Sequence, residues 1–117
     1  MKKYDLYING KWEKPSSGNY FDSDNPYNGE VGANIARGNE EDVDLAVKVA
    51  KTAFDTHWEP MKPTERGKIL VRLAELIEKE ATRLGEIEVK DNGKLFAEMG
   101  AQTKYLAEWY RYFGGLA

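Results

Sequence analysis

No cysteine occurs anywhere in the 117 residues, and histidine occurs once, at position 57. The first absence excludes a disulfide framework, a thiolate zinc site and a cysteine nucleophile within this chain. The second excludes a histidine-rich metal site. No apolar run approaches the ~20 residues that span a bilayer. Lys2 and Lys3 are followed by no apolar segment of the signal-peptide kind. The expected location is the cytoplasm, with no membrane partner. Lys+Arg number 17 against 20 Asp+Glu, a net charge of −3, and no block of one sign stands out. A nucleic-acid partner is therefore not expected. No GxGxxG or P-loop pattern occurs among the eleven glycines. Repeats and low-complexity tracts are also missing.

What is present is ordinary for a folded, water-facing chain: 41% hydrophobic and 32% charged residues. The first third reads as β. Residues 5–8 and 11–13 flank Asn9-Gly10, a pair that tolerates positive φ at both positions and so marks a tight hairpin. Pro15 to Gly18 is a loop. Residues 20–24 and 31–36 form a second pair around Asn25-Pro26-Tyr27-Asn28-Gly29-Glu30, where Pro26 fixes φ and Asn28-Gly29 supplies positive φ.

From Asn39 onward the pattern is helical. Asn39 is an N-cap, with Glu40, Glu41 and Asp42 in the first turn, where the helix dipole favours anions. Val43, Ala46, Val47, Ala50, Ala53 and Phe54 recur on one face, and residues 55–60 end the helix. Pro63 suits the first turn of the next helix. Its stripe is Ile69, Leu70, Leu73, Leu76 and Ile77, continued by Leu84, Ile87 and Val89. Asp91-Asn92-Gly93 stops it, with Gly93 left-handed. A last helix from about Phe96 presents Phe96, Met99, Leu106, Trp109, Tyr110 and Phe113.

Strands followed by helices indicate an α+β fold: two N-terminal β-hairpins over 1–38, then three to four amphipathic helices over 39–117. The expectation is a single N-terminal segment. Neither hairpin has a third strand in this reading, and isolated hairpins are marginal in water. The aromatic face of the last helix also lacks a cover. Both features predict an incomplete unit that self-associates or joins a homo-oligomer.

No constellation carries chemistry. Most carboxylates sit at helical spacing from a base, as Glu75 does from Lys79, and read as solvated pairs. His57 lies near a helix end without a partner for general-base work. Gly114-Gly115 reads as a helix terminus or a close-packing site, not a phosphate cradle. Trp109, Tyr110, Tyr112 and Phe113 could stack bases, but their helical spacing and lack of basic neighbours favour core or interface packing.

Six local signatures in order carry a resemblance. Leu6-Tyr7-Ile8-Asn9-Gly10-Lys11-Trp12 resembles the opening strand, turn and strand of aldehyde dehydrogenases. Asp24-Asn25-Pro26-Tyr27-Asn28-Gly29-Glu30-Val31 is similar to that family's NP-x-(T/N)-GE-V turn. The helix from Glu41 to Phe54 follows, as in the family. Trp58 then precedes Glu65-Arg66-Gly67-Lys68-Ile69-Leu70, similar to its RG-x-LL entry to a second helix. Asp91-Asn92-Gly93-Lys94 resembles its NGK turn. Tyr110 to Ala117 resembles its YYAG-A helix.

The resemblance implies the N-terminal portion of an NAD(P)-dependent aldehyde dehydrogenase, part of an α/β fold with a Rossmann-like cofactor domain. That family oxidises aldehydes to carboxylic acids with NAD or NADP, through a cysteine thiohemiacetal stabilised by an oxyanion hole. Its nucleophile, base glutamate, oxyanion asparagine and nucleotide-contacting lysine come later in the chain. No catalytic or cofactor-binding residue is carried over, and neither activity nor tight NAD or NADP binding is expected of these 117 residues alone. The family's aldehyde tunnel draws partly on the last helix, around Met99 to Tyr110. Its structural monovalent cation implies a site at Ser23, Asp24 and Asp91, where carbonyls and a carboxylate suit a hard ion. The alternative is a non-catalytic helical interaction or regulatory module built from the same start.

Overall fold

Asn9 and Gly10 both take positive φ, 54° and 74°. They turn β2 (Leu6–Ile8) into β3 (Lys11–Glu13), which pair antiparallel with Ile8 opposite Lys11. The structure, a computed structural model, describes residues 2–117. It divides into two compact units, the first ending at Pro60 and the second spanning Met61–Ala117.

In the first unit, β4 (Tyr20–Asp24) pairs antiparallel with β5 (Val31–Ala36). The connecting turn is closed by Asn25 N–H on the Glu30 carbonyl at 2.8 Å, and only Gly29, not Asn28, takes positive φ. The second hairpin does have a third strand: β1 (Lys2–Tyr4) runs parallel to β5, giving the order β1-β5-β4. Lys2-Lys3-Tyr4 shows no alternation to advertise this, because its partner lies some thirty residues away along the chain.

The first helix, α1 (Glu40–Ala53), begins at Asn39 as expected. Asn39 and Asp42 form a reciprocal capping box: the Asn39 side chain accepts from Asp42 N–H, and the Asp42 carboxylate accepts from Asn39 N–H. The helix passes into a π-helical turn (Phe54–Trp58) and ends within residues 55–60 as expected. Its expected apolar face stays open, with Val43, Val47 and Phe54 exposed.

In the second unit, α2 (Pro63–Asn92) starts with proline in the first turn and stops at Gly93, φ 74°. After a three-residue connection, α3 (Phe96–Gly115) returns antiparallel. The seam between them differs from the expected stripes. On α2 the buried residues are Gly67, Ala74, Ala81 and Gly85; on α3 they are Met99, Thr103 and Ala107. Ile69, Leu73 and Leu76 point outward, as do Phe96, Leu106, Trp109 and Phe113. Small residues at heptad spacing let the backbones approach more closely than a leucine seam permits.

Candidate functional site

Three places join distant parts of one unit through named atoms. The first lies at the start of α1. Asp42 is buried, and its carboxylate accepts from Asn39 N–H at 3.0 Å and from Ser16 N–H at 2.9 Å. Ser16 Oγ also donates to Asn39 Oδ1 at 3.0 Å. The backbone N–H groups of Asn39 and then Ser16 hold the Asp42 carboxyl below its ordinary pKa, because both bonds favour the anion. This arrangement splices the 15–18 loop to a helix. It also fills the positive end of α1 with the protein's own carboxylate.

The second joins β4 to the start of the chain. Tyr20 O–H donates to Asp5 Oδ1 at 2.6 Å, and Lys3 Nζ sits 3.5 Å from the Tyr20 ring centroid. The bond to Asp5, chiefly, pushes the Tyr20 phenol up to about 12. Losing the proton there would set a phenolate against a carboxylate.

The third is the α2–α3 seam. A Cβ built on Gly67 would lie 2.4 Å from the Gly114 carbonyl oxygen, and one on Gly114 would lie 3.0 Å from the Gly67 oxygen. Gly114 is therefore a close-packing site. Buried Thr103 Oγ1 lies 3.0 Å from the Ala81 carbonyl and 2.7 Å from the Met99 carbonyl, so its one proton is shared across and along the helices. Arg111 forks between Glu78 on α2 and Glu108 on its own helix, and these bonds hold its guanidinium above its ordinary pKa.

The expected cation ligands fall in two places. Ser23 and Asp24 are neighbours at an irregularity of the β4–β5 ladder, where Ser23 faces Ala33 and Asp24 faces Val31, skipping Gly32. Asp91 belongs to the second unit, in the last turn of α2. Among the described residues, no group of three or more His, Cys, Asp or Glu side chains is arranged to hold a metal ion. His57 is exposed in the π-helical turn. Glu65–Lys68 and Glu80–Arg83 are the pairs that form along α2, not Glu75–Lys79.

The residue types at hand do not fit a dinucleotide. Among the described residues no strand leads through a glycine-rich turn into a helix, and at the start of α1 the Asp42 N–H is taken by the Asn39 side chain and the Asn39 N–H by the Asp42 carboxylate. No described helix is long and apolar enough to cross a membrane. What sequence reasoning missed is the seam. Gly67, Ala74 and Ala81 recur every seven residues, a signal that a search for large apolar side chains passes over.

Comparison with known proteins accounts for a scaffold without a nucleophile. The profile of the Aldehyde dehydrogenase family matches residues 12–117. A (Z)-2-((N-methylformamido)methylene)-5-hydroxybutyrolactone dehydrogenase of Acinetobacter baylyi is 43% identical over 100% of this chain and 24% of its own. A mitochondrial aldehyde dehydrogenase of Rattus norvegicus is 39% identical over 96% of this chain and 22% of its own. Among solved structures, a betaine aldehyde dehydrogenase of Staphylococcus aureus in complex with NAD+ superposes with a TM-score of 0.93 and 31% identity. That match covers 99% of this chain and 24% of that one. HpcC of Thermus thermophilus superposes with a TM-score of 0.93 and 36% identity, covering 97% and 22%. The chain thus spans about a quarter of the length of the proteins it matches.

Proposed function

The chain belongs to the aldehyde dehydrogenase family, and we propose that it is the N-terminal scaffold of an enzyme oxidising aldehydes to carboxylic acids with NAD or NADP. The observation that carries this reading is the match over nearly the whole chain to proteins four times longer. In such an enzyme these residues supply packing and position. With no cysteine among the 117, a thiolate nucleophile has to come from elsewhere, and this chain alone turns over no aldehyde. By family resemblance, Ser23 and Asp24 in the first unit, and Asp91 in the second, are each kept as candidate oxygen ligands of a structural monovalent cation, whose oxygen preference suits them. We place the whole enzyme in the cytoplasm as a homo-oligomer.

The test is a chimera in which this chain replaces the matched quarter of the Acinetobacter relative. Reduction of NAD or NADP with an aldehyde, followed by absorbance of the reduced cofactor, should persist in the chimera and be absent from the 117-residue chain. A soluble, folded chimera without turnover would overturn the reading.

A further inference from the structure

Asparagine followed directly by glycine occurs three times, at Asn9-Gly10, Asn28-Gly29 and Asn92-Gly93. This pair has a chemistry of its own. With no Cβ on the glycine, its backbone nitrogen can approach the asparagine side-chain carbonyl carbon, Cγ, and close a cyclic imide. All three asparagines are exposed, so access of water does not choose between them. Hydrogen bonding does.

At Asn28-Gly29 both reacting groups are held. Gly29 N–H donates to the Asn25 carbonyl at 2.8 Å, Asn28 Nδ2 donates to Glu30 Oε2 at 2.9 Å, and Asn28 Oδ1 accepts from Glu30 N–H at 3.1 Å. Asn92-Gly93 is held in the same way. Gly93 N–H donates to the Val89 carbonyl at 2.9 Å, Asn92 Nδ2 to Glu88 Oε1 at 3.2 Å, and Asn92 Oδ1 accepts from Lys94 N–H at 2.9 Å. At Asn9-Gly10, neither the Gly10 N–H nor the Asn9 side chain has a hydrogen-bond partner among the described residues.

What restrains Asn9 is torsion. At φ 54° it lies in the left-handed region, where the next nitrogen points away from the side chain and has to swing about the Cα–C bond to reach Cγ. That swing opens the turn. Strands β2 and β3 form a separate two-stranded sheet of three residues a side, with Tyr7 and Trp12 in ring contact at 5.0 Å. A pair of that size opens at little cost.

We propose that Asn9 is a site of spontaneous deamidation, selected by the fold over the two other Asn-Gly pairs. The inference does not draw on the functional reading above. The Gly10 nitrogen gives its proton to water or hydroxide and forms a bond to Asn9 Cγ. The Cγ–Nδ2 bond breaks, and its nitrogen takes up a proton and leaves as ammonia. Water then adds to one of the two imide carbonyls. Opening at Cγ gives aspartate; opening at the main-chain carbonyl gives isoaspartate, whose main chain runs through Cβ and Cγ. Amide and water become carboxylic acid and ammonia, with no change in oxidation state. Isoaspartate adds a backbone carbon to a turn of two residues, so Ile8 loses its place opposite Lys11.

Ageing of the 117-residue chain at mildly alkaline pH tests this, with tryptic mapping and mass-spectrometric fragmentation that separates isoaspartate from aspartate. The peptides Tyr4–Lys11, 12–37 and Asp91–Lys94 report the three sites separately. Asn9 should convert about 10-fold faster than Asn28 or Asn92, since each of those has first to break its hydrogen bonds. In urea the three rates should converge to within about 3-fold, because the fold that separates them is gone. Trp12→Ala removes the ring contact and should speed Asn9 by about 3-fold while leaving the other two unchanged. Equal rates in the native chain, Asn28 or Asn92 converting first, or an order that persists in urea would each overturn the proposal. So would an Asn9 rate that Trp12→Ala fails to raise, or aspartate at position 9 without isoaspartate, the mark of direct hydrolysis.

Discussion

In the unit ending at Pro60, the loop and helix meet at Ser16 and Asp42, and the burial of Asp42 is compensated by the two backbone N–H groups that donate to its carboxylate. In Met61–Ala117 the helices meet at Gly67, Ala74, Ala81 and Gly85 against Met99, Thr103 and Ala107, where the one buried polar side chain among the described residues of that unit is Thr103, with the partly exposed Arg111–Glu78 pair at the margin. One unit is joined by directional bonds between polar side chains and backbone. The other is joined by shape, through side chains small enough to leave the backbones in contact. The two should fail differently. Hydrogen-bonded joints lose about 1 kcal/mol per bond and respond to pH. A seam closed to backbone distance tolerates almost no added volume and should be indifferent to pH over the same range.

The largest effect is therefore expected at Gly67. Alanine normally gains about 1 kcal/mol over glycine inside a helix. Here its methyl would sit 2.4 Å from a backbone oxygen of α3, and overpacking of that kind costs about 3 kcal/mol. Gly85→Ala is the control. Its nearest neighbours lie 3.4 Å away, so it should be neutral or stabilising by up to about 1 kcal/mol. Thermal melts followed at 222 nm read both. If Gly67→Ala and Gly85→Ala melt together, the seam is looser than described and the contrast between the units collapses.

Next in size is Asn39→Ala, which removes the acceptor for Asp42 N–H and for Ser16 Oγ. Loss of an N-cap costs about 0.5–2 kcal/mol. Asn39→Asp keeps an acceptor but adds a carboxylate beside that of Asp42, so it should fall between alanine and wild type. An alanine variant that melts like wild type would place the helix start elsewhere. Thr103→Val follows at about 1 kcal/mol, since it deletes one shared hydrogen bond while preserving volume. Its melting curve should shift equally at pH 4 and pH 8; a pH-dependent shift would deny that this seam is held by shape.

The division also explains what was legible in the sequence. Asn9-Gly10, Asn39 with Asp42, Pro63 and Gly93 announce turns and helix ends because their conformational demands are local. The α+β order follows from them. Strand β1 was not legible, since Lys2-Lys3-Tyr4 gains its structure from β5 across a long interval. The seam was misread because hydrophobic periodicity weighs large side chains, while this interface is made by glycine and alanine. The large residues at Ile69, Leu73, Leu106 and Trp109 were correctly seen as stripes, and they mark a second face instead of the first. Ser23, Asp24 and Asp91 were named by resemblance alone; nothing in their local pattern distinguishes them from other turn residues.

The smallest expected effect is also the most selective. Tyr20 holds its proton to about pH 12, against an ordinary phenol near 10, because its O–H is bonded to Asp5. A raised folded pKa means that this link contributes in full below pH 10 and fades as pH rises through 12. A spectrophotometric titration at 295 nm should show one of the seven tyrosines ionising late. In Tyr20→Phe that late component should vanish, and in Asp5→Asn it should shift earlier. Neither variant should move the melting temperature at pH 7 as far as Asn39→Ala does, because Tyr20 is only half-buried and water can replace Asp5. The α2–α3 seam, closed mainly by glycine, alanine and one threonine hydroxyl, should respond less. If unfolding between pH 10 and 12 began at α2–α3 instead, with Tyr20 still protonated, the assignment of directional bonds to one unit and shape to the other would be wrong.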